Sequence, residues 1–150
     1  MKKTGIFFGA VFLLFFSKAT YAQDYKMGLG VRFSSRSSLI NHSVSFKYFF
    51  SESTAAEALF TFADPLAFGL LVARHKPVLG NGFTFFYGGG AYAGFSGDRR
   101  AGLHSVIGLD YKAPSIPFNL SLDWKPELTL TKEFSFEPAA LGLSARFTFK

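Results

Sequence analysis

Ala139–Lys150, AALGLSARFTFK, sorts by parity into two unlike rows. Leu141, Leu143, Ala145, Phe147 and Phe149 make one row, wholly apolar and aromatic at its end. Gly142, Ser144, Arg146, Thr148 and Lys150 make the other, small, polar or charged. A period of two is the period of a β-strand, whose successive side chains point to opposite faces. One face of this strand requires an apolar surrounding, and the other must provide for Arg146 in mid-strand.

The same alternation runs back to Tyr25. Tyr25, Met27, Leu29, Val31 and Phe33 alternate with Lys26, Gly28, Gly30, Arg32 and Ser34; Val44, Phe46, Tyr48 and Phe50 alternate with Ser43, Ser45 and Lys47. A third row, Ala56, Ala58, Phe60 and Phe62, faces away from Glu57 and Thr61. A fourth strand, from about Phe68 to Lys76, has no clear phase because both of its rows are apolar. Strands follow over Phe83–Phe95, Leu103–Lys112 and Phe118–Leu130. The turns between strands carry Ser, Gly, Asn, Asp and Pro, as in SSRS at Ser35–Ser38, Gly80-Asn81-Gly82 and APSIP at Ala113–Pro117. Thr131–Pro138 is read as a loop leading into the last strand. No stretch has helical periodicity, so the expected fold is one all-β domain of eight strands.

Met1–Phe16, MKKTGIFFGAVFLLFF, is the one long apolar run. It is shorter than the ~20 residues of a spanning helix, and with Lys2, Lys3 and the small residues Thr20 and Ala22 it fits a secretory signal cleaved after Ala22. The alternative is an uncleaved N-terminal anchor. Cleavage would leave Gln23–Lys150 as the barrel domain, with thirteen basic and ten acidic residues in place of the full chain's net +6. That balance gives little support for a nucleic-acid partner. There is no cysteine, hence no disulfide and no thiolate metal site.

Two architectures share this pattern: a soluble barrel or sandwich with apolar rows inward, and a transmembrane barrel with apolar rows toward lipid. An eight-stranded barrel has room inside only for packed side chains. Phe, Tyr, Leu and Trp from eight strands are too bulky to converge there, whereas glycines, serines and a few charges fit. The small rows carry Arg32, Lys47, Lys125 and Arg146 with Glu57, Asp110, Asp123 and Glu127, besides Lys26 and Lys112. Both signs lie on neighbouring strands and can pair across a narrow lumen, as buried charges must. Tyr25, Tyr48, Tyr87, Tyr111 and Trp124 lie near strand ends, the place of the aromatic girdles of membrane barrels.

With its signal, eight alternating strands, short connections and terminal Phe147 and Phe149, the chain resembles the small eight-stranded outer-membrane β-barrel proteins of Gram-negative bacteria, OmpA/OmpX-like in the broad porin-family sense. The resemblance implies an antiparallel up-and-down barrel in the outer membrane, surrounded by lipid and lipopolysaccharide. It also implies a terminal strand, with Gly142, Phe147 and Phe149, read by the barrel-assembly machinery; Lys150 after Phe149 departs from the usual aromatic end. The terminal strand is expected to pair with the first, near Arg32, and so remove the sheet edges.

The expected role is structural or interactive, with a charge-paired lumen that does not serve as a general channel. A lipid-handling protein, enzyme or carrier, is the alternative, as is a soluble secreted barrel. Arg99 and Arg100 suit phosphate geometry and are candidate contacts for lipopolysaccharide. His104 and Ser105 point to opposite faces, as do His42 and Ser43, and His75 has no serine nearby, so no catalytic triad assembles from neighbours. The three histidines lack metal-site spacing, and no cofactor motif is present: Gly88–Gly90 precedes no helix and is expected to let the wall bend.

Overall fold

The computed structural model describes residues 25–36, 40–62, 65–95 and 99–150, and these form a closed antiparallel barrel with no helix. Met1–Ala22, with the expected cleavage position, lies outside the described residues, as do parts of the loops near residues 37, 64 and 97. The strands are β1 (Met27–Ser34), β2 (His42–Phe49), β3 (Thr54–Thr61), β4 (Ala67–Pro77), β5 (Phe83–Gly94), β6 (Ala101–Lys112), β7 (Phe118–Trp124), β8 (Glu127–Thr129), β9 (Ser135–Glu137) and β10 (Leu141–Phe149). Each of β1 to β7 pairs with its sequence neighbour. β10 then pairs with both β7 and β1, so the ring contains eight strands.

The closing seam sets Gly30 opposite Arg146 and Arg32 opposite Ser144. A Cβ on Gly30 would lie 1.9 Å from the Ala145 carbonyl oxygen, so this close approach of the two end strands requires glycine. Gly88 and Gly90 play the same part on β5, where a Cβ would meet the Val72 and Leu70 carbonyl oxygens at 2.0 and 1.7 Å. Glycine at both positions permits this close approach of β5 to β4.

Three details differ from the sequence reading. The seventh strand is interrupted at Lys125-Pro126, since proline offers no ladder donor. Beyond the break, β8 pairs with β6 and with β9, which occupies part of the expected Thr131–Pro138 loop; the true turn is shorter, and β8 continues the wall along β6 with Thr129 buried against Tyr92. Tyr25 does not join an outer aromatic girdle. It precedes β1, escapes the strand's alternation, and turns inward with its ring edge-on to Phe49 at 5.2 Å.

Fully buried side chains in the barrel include Arg32, Arg146, Lys47 and Lys125, whereas Leu29, Phe33, Leu122, Leu143 and Phe147 are about half exposed or more. The rows that carry the lumen charges point in, and the rows of large apolar side chains opposite them point out. On β4, the strand without a legible phase, Ala67, Gly69, Leu71, Ala73 and His75 face inward, while Phe68, Leu70, Val72, Arg74 and Lys76 face outward.

Candidate functional site

Among the described residues, the lumen is where this fold concentrates polar chemistry. Its eight expected charges comprise four cations and four anions, and each has an ion-pair partner among the others. Arg32 on β1 donates from Nη1 and Nη2 to the two carboxylate oxygens of Asp123 on β7, at 2.5 and 2.7 Å. Such a fork-to-fork geometry is among the stronger charge-assisted contacts. Gly142 leaves the space this pair needs: a Cβ there would fall 2.1 Å from Arg32 Nη2. Lys125 and Glu127, two residues apart and thus on one face, pair with each other just past the break in the seventh strand.

Arg146 lies at the centre of the second network. Its Nη2 donates to Glu57 Oε1 at 2.5 Å, its Nε to Ser45 Oγ at 2.7 Å, and its Nη1 to Asn119 Oδ1 at 3.0 Å and Ser121 Oγ at 2.6 Å. Ser45 in turn donates to Glu57. Asp110 accepts from Ser121 at 2.5 Å, Asn119 at 2.8 Å, and Lys47 and Tyr25 at 3.3 Å each. Five strands, β2, β3, β6, β7 and β10, and the segment before β1 are thereby tied through one chain of hydrogen bonds. Satisfying both ions and their remaining donors is what makes a buried ion pair tolerable.

Ser45, Asn119, Ser121 and Tyr25 were not singled out in the sequence as parts of this network. For the first three a signal existed, since each shares the parity of a lumen charge two or four residues away on its own strand. Tyr25 gave none, because its inward turn lies outside the strand. Lys26 and Lys112, on the small parity by sequence, do not enter the network. Lys26 is exposed with its Nζ over the Tyr48 ring at 5.7 Å, and Lys112 Nζ donates to the carbonyls of Ala113 and Ile116 at the barrel's rim. At a strand end, a long cation reaches water or turn carbonyls more easily than the lumen.

Of the histidines, His42 is exposed, while His75 and His104 are buried in the lumen. His75 stacks on Phe86 with centroids 5.1 Å apart, its Nε2 3.4 Å from Lys47 Nζ and 3.7 Å from Asp110. Ser105, beside His104, points out. Among the described residues no group of three His, Asp or Glu side chains could hold a metal ion. Arg99 is exposed and Arg100 half-buried in the connection before β6; Phe147 and Phe149 face outward on β10.

The eight lumen charges balance, four cations against four anions. The guanidinium and ammonium groups are bound to carboxylates that approach them from other strands or, for Lys125, from the same face of its own strand. No protein-family model, curated protein or solved structure matches the chain.

Proposed function

We propose that this chain is an outer-membrane β-barrel of a Gram-negative bacterium, with a side-chain-filled, charge-paired lumen and a structural or interaction role rather than that of a general channel. One observation carries the proposal: the barrel is inside-out for a water-soluble protein, burying four ion pairs while exposing large apolar side chains on seven of its eight ring strands, with Ala56, Ala58 and Phe60 half-exposed on the eighth, β3. An uninterrupted apolar surface of this extent needs a partner, and a belt that goes fully round is matched by lipid rather than by a protein on one side. Ring strands of 7–12 residues bracket the about 9–11 that a tilted spanning strand needs. Tyr48, Tyr87, Tyr111 and Trp124 on the outer rows suit the interfaces of such a belt.

Membrane fractionation with a gel-mobility assay tests this. The protein is expected in the outer-membrane fraction, migrating faster unboiled than boiled, and without steady conductance in planar bilayers. Recovery from the soluble periplasm would overturn the membrane assignment; reproducible open channels would overturn the plug.

A further inference from the structure

The outward rows of β1–β7 and β10 contain only two charged residues, Arg74 and Lys76, and both are cations on the same face of β4. They are exposed, lie two residues apart, and stand beside Tyr87 and Phe85 of β5, their direct cross-strand partners. Lys76 holds its Nζ 5.6 Å from the centre of the Tyr87 ring. Neither cation has an ion-pair partner among the described residues. Every other strand charge of the ring either faces the lumen in a pair or, like Lys112, caps carbonyls at the rim.

We infer that Arg74 and Lys76 form a binding site for the phosphate of an acidic glycerophospholipid at the rim that carries the chain termini; the inference rests on the membrane reading above. Two adjacent cations at the edge of an apolar belt are complementary to a ligand with an anionic head and apolar tails. A guanidinium offers paired N–H donors to phosphate oxygens, and the ammonium adds a second, rotatable set. Toward the middle of the belt, the wall next to Arg74 continues with Val72, Leu70 and Phe68, which supply apolar surface for an acyl chain. A zwitterionic head brings its own ammonium against the two cations and is disfavoured.

The experiment is native mass spectrometry of the full barrel, folded in detergent micelles and given equal amounts of phosphatidylglycerol and phosphatidylethanolamine. The wild type is expected to retain phosphatidylglycerol at least about tenfold over phosphatidylethanolamine, because only the latter sets a like charge, its ammonium, against the two cations, and about 1.4 kcal/mol of such repulsion makes that ratio. The R74Q/K76Q variant should lose that preference, and K26Q, which removes an exposed cation elsewhere on the same rim, should keep it. Equal retention of the two lipids by the wild type, undiminished preference in R74Q/K76Q, or an equal loss in K26Q would each overturn the site. Insertion of the wild type into phosphatidylethanolamine vesicles, followed by its gel mobility, separates the two claims. Failure to insert sinks the membrane reading, whereas insertion without lipid preference sinks only the site.

Discussion

The lumen has two unlike walls. On β7, β10, β1 and β2 the inward side chains are mostly polar, among them Asn119, Ser121, Asp123, Ser144, Arg146, Arg32, Ser45 and Lys47, with Phe49 at the end of β2 the apolar exception. On β3 to β6 they include Leu59, Leu71, Ala73, Phe86, Tyr92 and Val106, which with Ile40 and Ala67 make a contiguous apolar cluster. Glu57 and Asp110 stand at the borders and reach from the second group of strands toward the first. The contrast teaches why a small barrel can hold this much charge. The apolar wall excludes water and fills the volume, which raises the strength of the ion pairs opposite it and also the cost of leaving any of them broken.

The walls should therefore fail differently. Arg146→Met on the polar wall leaves Glu57 buried without its cation, and should destabilise the barrel by about 3–5 kcal/mol. Urea unfolding in vesicles measures this. Replacing Glu57 by Met as well should recover most of the loss, because a matched apolar pair of similar volume carries no desolvation cost; no recovery would show that the hydrogen bonds to Ser45, Asn119 and Ser121 matter more than charge balance.

Leu59→Ala on the apolar wall removes a fully buried side chain and should cost about 2–5 kcal/mol through lost burial and a cavity. Its effect should be insensitive to whether Arg146 and Glu57 are both present or both replaced. Strong coupling in that double-mutant cycle would mean that the two walls act as one unit.

Gly142→Ala probes the seam where charge and space meet. Its methyl group would displace the Arg32 guanidinium from Asp123, for an expected cost of about 1–3 kcal/mol. The same substitution in an Arg32→Ala background should cost little, since the space is then empty. An undiminished cost there would point to a role of Gly142 outside the packing of Arg32, as in recognition of the terminal strand during assembly.

The walls also explain where the sequence was legible. Strands facing the polar wall alternate in chemistry as well as geometry: in Phe118–Lys125 every second residue is Asn, Ser, Asp or Lys, and the inward row can be read directly. β4 faces the apolar wall from inside and the apolar belt from outside, so Leu70 and Leu71 look alike in sequence although one is exposed and the other buried. The volume rule that places small residues inside fails for the same strands, with Leu59, Phe86 and Tyr92 all buried in the lumen.

Parity determined the all-β class and put the eight charges on common faces, because a strand's period of two ties each residue's face to its neighbours, and side-chain volume in a ring of eight strands turned those faces inward. Partnership was decided only by the tertiary structure. Arg32 could have met any nearby carboxylate, and it is the closing register of β1 on β10, and of β10 on β7, that brings it to Asp123 past the bare backbone of Gly142. The inward turn of Tyr25 and the β8–β9 hairpin were likewise settled by packing, the first at a strand's end and the second beyond a proline, where alternation no longer constrains the chain.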